Sequence, residues 1–407
     1  MKLVFRIFIL FLAGIIGLNC IPKKSLQSAN SQVPVNNANN RTDSLPPIKN
    51  TISDSVVYDT KTHLFKIGVM LPFFKNGNDG SERQLGYRQA SLDYYYGVKM
   101  GLDSLRALGL NAEIYPEDTE LDSSKVGRYI SKFKDFDLII GPAFNSGIKM
   151  AHLNSKNTKA KIFLPFENEI SANNAQFIYA NSGFSGMGIG AANIIGKAYT
   201  NAHIIILTGT KAEVRECDSL FQIQLRKVNP NLEITKVDFT NSKVKPLADY
   251  LLKTKKNIFF IPIRSEALVN QALSQLRAIE EIEVYGLQEW LEFDNLMVDD
   301  WNKINFHLIG KRYVDFSNPS VNHFRKYVLE YFNTEPSEYI YSGFDDICFL
   351  GNQLMKHGYY FTSFLNEESC LTPTSGYLFQ SDSALKSQVN YYTTHLQYYE
   401  KKLTRIF

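Results

Sequence analysis

FDLIIGPAFNSGIKMA, residues Phe136–Ala151, joins a short apolar run to a turn and then to a helix-compatible segment. The run DLII is of the kind that forms a buried strand. The turn GPAFNSG is built from glycine, proline, asparagine and serine, and IKMAHL then resumes a helical pattern. The unpaired N–H groups at the start of such a helix favour anions. The stretch therefore predicts a strand–turn–helix unit that can hold a polar ligand.

The same alternation of strands and helices extends in both directions along the chain. LFKIGVMLPF predicts a strand from Leu64, and SLDYYYGVKMGLDSLRALG predicts a helix that ends at Gly109. After residues 181–186 the alternation restarts with GIGAANIIGKAY and continues to EVYGL. We therefore predict an α/β fold with two doubly wound parallel-sheet lobes. Ligands in such folds bind beyond the carboxyl ends of the strands, so the expected site is a cleft between the lobes.

Two later segments carry more specific expectations. VKPLADYLLKTK reads as a helix of the second lobe, and QVNYYTTHLQYY reads as one strand near the C-terminus.

The glycine run SGMGIGAAN imitates a dinucleotide fingerprint, but the next strand ends LTGT without the required carboxylate. Close packing or a hinge explains these glycines better than a nucleotide does.

The N-terminus has the composition of an export signal. MKLVFR carries two positive charges, an apolar run of 12 residues follows, and Cys20 comes next. The apolar run is short for a transmembrane helix. The segment resembles a bacterial lipoprotein signal, which implies that Cys20 is lipidated; a secreted protein without lipid is the alternative. The residues after Cys20 are basic, so the periplasmic face of the outer membrane is the expected location.

The segment that follows Cys20 is rich in asparagine, serine and proline and predicts a disordered tether. About 345 residues remain, enough for two lobes. The predicted division is a signal peptide at 1–20, a tether at 21–62, a first lobe at 63–182 plus about 305–360, and a second lobe at 183–304 plus about 361–407.

Composition and motifs argue against several function classes. The formal net charge is +3 on 44 basic and 41 acidic residues, without a basic stripe, so nucleic-acid binding is not expected. The seven histidines show no metal-ligand spacing, and no nucleophile elbow or phosphate-binding loop occurs. We expect no catalytic activity, cofactor or metal. Among Cys217, Cys348 and Cys370, a disulfide between the last two is possible but undecided.

Several segments together resemble the type I periplasmic binding protein fold, in the leucine/isoleucine/valine-binding-like branch found in envelope lipoproteins. They are IGVMLPF, YYYGVKMGLDSL, DLIIGP, KIFLPF, FIYANSGF and SEYIYSGFDDICFLGNQLMKHG, and the resemblance covers about residues 64–400. It implies that Ser146 and Gly147, with Asn145 beside them, bind a ligand carboxylate. The alternative is that Ser146 or Asn145 caps its own helix.

The resemblance also implies contacts from other loops. Glu167 or Asn168, in the departing sequence LPFENEIS, could hold an ammonium group. On the second lobe Arg264, Glu266 and Trp290 are candidate contacts, with surface salt bridges and a structural tryptophan as the alternatives.

Two pairs of acids complete the candidates. Glu117-Asp118 ends a strand and could face the cleft. Asp345-Asp346 lies on a predicted helix, where a solvated face or capping is expected.

Two functions are therefore predicted. The first is an extracytoplasmic lipoprotein that binds a small polar ligand (amino-acid-like, peptide or cell-wall fragment) for uptake or sensing, with a transporter as a possible partner. The second is a non-catalytic envelope interaction protein or regulator of cell-wall synthesis that uses the fold as a scaffold. The first predicts an open, polar-lined cleft, and the second predicts a cleft filled by Phe144, Phe166 or Trp290.

Overall fold

The structure is a computed structural model that describes residues 20–22, 60, 62–75, 81–166, 173–240, 245–296, 304–380, 386–400 and 402–406. The predicted signal peptide lies outside these residues apart from Cys20, and so does nearly all of the predicted tether. Across the described ranges, no helix has both the length and the apolar character needed to cross a membrane.

Strands and helices alternate along the described chain, as predicted. The strands are β1 (Cys20–Pro22), β2 (Phe65–Leu71), β3 (Ala112–Asp118), β4 (Leu138–Ile140), β5 (Lys161–Leu164), β6 (Phe177–Tyr179), β7 (Ala202–Thr208), β8 (Glu233–Asp238), β9 (Lys256–Phe260), β10 (Ile282–Leu287), β11 (Asn305–Gly310), β12 (Glu368–Leu371), β13 (Gly376–Leu378), β14 (Gln388–Val389), β15 (Thr394–Tyr399) and β16 (Lys402–Ile406). The helices are α1 (Glu82–Ala107), α2 (Ser123–Lys132), α3 (Asn145–Asn154), α4 (Gly183–Ala198), α5 (Ala212–Val228), α6 (Glu266–Leu276), α7 (Pro319–Phe332) and α8 (Glu338–His357).

The strands form one sheet in each of two lobes and a small third sheet. The first-lobe sheet is parallel, in the order β14-β6-β5-β4-β2-β3. The second-lobe sheet has the order β16-β15-β11-β10-β9-β7-β8, with parallel strands except for β15 and β16 at one edge. Strand β7 is buried at all seven positions, as expected for a parallel sheet covered on both faces. The predicted architecture of two doubly wound lobes is confirmed.

The lobes exchange chain at points that differ from the predicted division. Strand β11 pairs in the second-lobe sheet, although its residues were expected in the first lobe. Residues after α8 pack into the first-lobe core through Phe361, Leu365, Tyr377 and Phe379, although a second-lobe position was expected. Only β15 and β16 return to the second lobe. Helical and strand patterns identify elements, but they carry no signal for the sheet that an element joins.

QVNYYTTHLQYY was predicted as one strand and is instead divided between the lobes. It contributes β14 to the first-lobe sheet and β15 to the second. Asn390 ends the first strand: its Oδ1 accepts hydrogen bonds from the backbone N–H groups of Leu378 and Tyr392, and its Nδ2 donates to the carbonyls of Ala180 and Gly376. These bonds fix the chain where it crosses between lobes.

The prediction of a helix over VKPLADYLLKTK is also wrong. Only Leu247–Tyr250 is helical, as a short 3₁₀ turn. The amide side chain of Asn257 accepts from the backbone N–H of Leu252 at 2.9 Å and donates to its carbonyl at 3.0 Å. Local hydrogen bonds between a side chain and the backbone therefore replace the helical ones.

Cys217 and Cys348 are free and buried, so the disulfide considered between Cys348 and Cys370 is not formed. Cys370 is buried as well. Burial raises the pKa of the Cys217 thiol to about 12 and raises that of Cys348. These two thiols are therefore protonated and unreactive at neutral pH.

Helix α8 returns to the first lobe and packs on α1 with the two backbones in contact. A Cβ atom added to Gly97 would lie 2.1 Å from the carbonyl oxygen of Ile340, and one added to Gly343 would lie 2.0 Å from that of Tyr94. Only glycine permits this approach, which sets the position of α8 over the first-lobe sheet.

We expect Gly97→Ala to destabilise the protein by about 1–3 kcal/mol, because the methyl group forces the two helices apart. Gly86→Ala is the matched control in the same helix, since no atom lies within 4 Å of its added Cβ. That control should stabilise by about 0.5–1 kcal/mol through helix propensity. Urea unfolding measures both; equal effects of the two substitutions would contradict this account of the contact.

Candidate functional site

The two lobes enclose a cleft of about 1710 Å³. First-lobe residues that follow β2, β4, β5 and β6 form one wall, as predicted for the carboxyl ends of a parallel sheet. The start of α5 and Arg264, which follows β9, form the opposite wall. Phe144 and Phe166 line this space and do not fill it. The cleft is open, and polar and apolar surfaces line it about equally.

The turn after β4 places two of the predicted residues in the cleft. Helix α3 begins at Asn145, and neither that side chain nor that of Ser146 caps it. Both side chains are exposed and line the cleft, and the first turn contains no acidic residue. The alternative in which these side chains cap their own helix is therefore not observed. The N–H groups of the first turn remain available to an anion.

Gly147 has a different role from the one predicted. It is buried and does not line the cleft. A Cβ atom here would lie 2.8 Å from the ring of Phe144 and 3.0 Å from Pro142. Gly147 therefore makes room for the aromatic ring at the start of α3.

Two further helix N-termini line the same cleft. Helices α4 and α5 begin after Ser182 and Lys211, and neither of these residues caps its helix through its side chain. Among the described residues, five cationic and four acidic ones line the cleft: Arg83, Lys211, Arg264, Lys311, Arg312, Glu213, Glu216, Glu338 and Asp346. The first turns of α3 and α4 contain no acidic residue, whereas that of α5 contains Glu213. The N-termini of α3 and α4, together with this charge balance, favour a ligand with at least one anionic group. The helices α4 and α5 were predicted, but the position of their N-termini at the cleft was not, because the local sequence of two distant helix starts does not show that they meet.

Of the second-lobe candidates, Arg264 reaches the cleft and Glu266 does not. Arg264 lines the cleft, with its Nε 2.6 Å from Oε2 of Glu289 and its guanidinium 5.0 Å from the ring centroid of Phe184. Glu266 accepts a hydrogen bond from the backbone N–H of Asn295 at 2.8 Å. This bond holds the loop that contains Asn295.

Trp290, a predicted ligand contact, belongs to the second-lobe core. Its side chain is fully buried, and its Nε1 donates to the carbonyl of Ile263 at 2.8 Å. A Cβ on Gly286 would lie 2.1 Å from its ring. The tryptophan is therefore structural. Glu167 and Asn168 lie outside the described residues.

Glu117 and Asp118 do not serve the cleft as expected. Asp118 is buried, and its carboxylate accepts the backbone N–H groups of Phe73, Phe74 and Lys75 at 2.9, 3.0 and 2.7 Å. Glu117 pairs with Lys132. Asp118 therefore shapes the loop after β2, and Glu117 forms an ion pair at the surface.

Asp345 and Asp346 were expected on a solvated helix face and are instead buried, with 1% and 3% exposure. Asp346 lines the cleft and accepts hydrogen bonds from the hydroxyls of Tyr94 at 2.8 Å and Tyr377 at 2.5 Å. Burial raises its pKa to about 6. Its partners lie 252 and 31 residues away in sequence, so local pattern could not reveal them.

The neighbouring carboxylate belongs to the junction of the lobes. Asp345 lies 2.6 Å from Nη1 of Arg312, which follows β11 of the second lobe. The same carboxylate oxygen accepts the hydroxyl of Thr374 at 2.6 Å. The two adjacent carboxyl groups thus share a buried site with one guanidinium.

The raised pKa of Asp346 predicts how stability depends on pH. The folded state binds the proton more tightly than the unfolded chain, so this contribution is full at low pH and is lost as pH rises through about 6. From the ordinary value of 3.8 to about 6, the loss amounts to about 3 kcal/mol. Asp346→Asn should therefore flatten the decline of unfolding free energy between these pH values. If the unfolding free energy of Asp346→Asn depended on pH as that of the parent protein does, Asp346 would not be the buried carboxyl that titrates.

Comparisons with known proteins identify the fold. No family model matches the sequence, and no curated protein matches it. Solved structures do match: a protein described as an ABC-type branched-chain amino acid transporter from Rhodopseudomonas palustris has a TM-score of 0.53 at 16% identity, over 82% of this chain and 91% of that chain. A branched-chain amino acid ABC transporter protein from Rhodospirillum rubrum has a TM-score of 0.58 at 12% identity, over 84% of this chain and 100% of that chain.

A third match comes from a different functional class. The C-domain of LpoA from Haemophilus influenzae, described as a regulator of PBP1A, has a TM-score of 0.58 at 11% identity, over 84% of this chain and 100% of that domain. These likenesses confirm that the chain has a type I periplasmic binding protein fold.

Proposed function

We propose that the protein binds a small, polar, anionic ligand in the interlobe cleft, without catalysis, for uptake or sensing outside the cytoplasm. The observation that carries this proposal is the convergence of three side-chain-uncapped helix N-termini on one open cleft. Unpaired N–H groups at a helix start are built-in anion ligands. The transporter proteins of the same fold are described as acting on branched-chain amino acids, which carry such an anionic group.

The size of the cleft favours a ligand larger than a free amino acid. Ligand sites for small molecules are about 300–1000 Å³, whereas this cleft is about 1710 Å³. The rings of Tyr87, Tyr339 and Tyr391 also line it. Peptides and cell-wall fragments combine carboxylates with apolar groups that pack on such rings. We therefore favour these two classes within the proposed function.

Membrane attachment through Cys20 is part of the proposal. The lipoprotein-like signal and the basic residues after Cys20 support a lipid anchor on the periplasmic face of the outer membrane. We expect Cys20→Ala to move the protein from the membrane fraction to the soluble fraction, and an unchanged distribution would remove the anchor from the proposal.

The second candidate function is regulation of a cell-wall synthesis enzyme. The likeness to the whole LpoA C-domain favours it, because that domain is described as a regulator of PBP1A. In this function the fold serves as a scaffold, and the partner would bind an outer surface. The open cleft favours ligand binding over this alternative.

A thermal-shift screen of amino acids, short peptides and muropeptides tests the proposed function. A ligand at one hundred times its dissociation constant stabilises the native state by about 2.7 kcal/mol. Absence of a shift in every class, together with capture of a cell-wall synthase, would favour the scaffold function instead.

For a ligand that binds, Ser146→Asp should weaken affinity at least tenfold. The new carboxylate lies in the first turn of α3, where it repels an anion and yet stabilises the helix by about 0.3–1 kcal/mol. The matched control is Asn157→Asp, which adds the same charge at an exposed position outside the cleft. Equal affinity in the two variants would place the anionic group elsewhere.

A further inference from the structure

The junction between the lobes carries an ionisable group that the proposed ligand site does not require. Three segments connect the lobes: residues 180–183, 310–319 and 390–394. Arg312 lies in the second segment and contacts Asp345 on α8 of the first lobe. Asp346, the next residue of α8, lines the cleft.

The turn between β12 and β13 holds this junction together. The backbone N–H of Tyr313 donates to the carbonyl of Thr374 at 2.8 Å, and Arg312 contacts the hydroxyl of the same threonine. From the far edge of the second lobe, Nη2 of Arg405 donates to the carbonyl of Ser375 at 2.7 Å. The second lobe therefore contacts a first-lobe turn that lies just before Tyr377, the hydrogen-bond partner of Asp346.

The charges around Asp346 do not balance when it is ionised. Tyr94 faces it from α1 and Tyr377 from β13, both as hydrogen-bond donors, while Arg312 and Asp345 are its charged neighbours. The guanidinium already binds Asp345 at 2.6 Å. An ionised Asp346 thus adds a second carboxylate to a buried site with one cation, which is unfavourable without water.

We propose that Asp346 is a proton-controlled latch on the two lobes: its neutral form favours the arrangement described here, and its ionised form favours a wider cleft. Opening the cleft brings water to the carboxylate at its floor, and hydration lowers the cost of the charge. Loss of the proton therefore shifts the population of lobe arrangements towards the one with the wider cleft. The pKa of about 6 places this change just below neutral pH. The latch operates in the absence of ligand, so it stands or fails independently of the proposed function.

Spin labels on the two lobes test the latch without any ligand. Lys149→Cys on α3 and Ser219→Cys on α5 are exposed positions outside the cleft lining. They are introduced into the full chain carrying Cys20→Ser, in which Cys217, Cys348 and Cys370 are buried. Electron–electron resonance then gives the distance between the labels as a function of pH.

We expect the mean distance to increase between about pH 5 and about pH 7.5, with a midpoint near the pKa of about 6. In Asp346→Asn the distance should be independent of pH in this range. In Tyr377→Phe the midpoint should move to higher pH, because the ionised carboxylate loses a hydrogen-bond donor. The tyrosine variant also tests the latch if the asparagine variant does not fold.

Two results would overturn the inference. A distance that does not change with pH in the parent protein would exclude a latch. A pH-dependent change that persists in Asp346→Asn, or a midpoint that stays fixed in Tyr377→Phe, would assign the titration to another group, such as a histidine.

Discussion

The contact between α1 and α8 is the constraint on which the rest of the site depends. Gly97 and Gly343 let the two backbones touch, and no other residue fits there. Because α8 lies so close to α1, the hydroxyl of Tyr94 reaches Asp346, and Asp345 meets the guanidinium that comes from the second lobe. One steric condition thus sets the floor of the cleft and the junction between the lobes.

The local features of the fold could be predicted from the sequence, and its long-range features could not. The apolar run before the GPAFNSG turn and the helical pattern after it are properties of neighbouring residues, so the strand, the turn and the helix were correctly predicted. Trp290 was misassigned because an aromatic residue after a strand has the same local context whether it faces a cleft or a core. Its burial is decided by Gly286 and Phe306, which the local sequence does not relate to it.

Asp346 shows the same limit for a charged residue, which was expected at the surface and is buried. Two adjacent acids on a helix normally face solvent, since burial of a carboxylate is costly. Here Tyr94 and Tyr377 supply donors from distant parts of the chain, and this compensation is visible only after folding. Sites whose partners are far apart in sequence are the ones that pattern analysis misses, and buried polar networks belong to this class.

The division of β14 and β15 between the two sheets has a consequence for the order of folding. The first-lobe sheet takes its edge strand from residues 388–389 and the second-lobe sheet takes two from residues 394–406. Neither sheet can therefore be completed while that segment is still being synthesised. Such late, long-range pairing slows folding and keeps the strand edges of both lobes open until the end. A chain with this topology therefore remains incompletely folded until residues 388–406 are available for pairing.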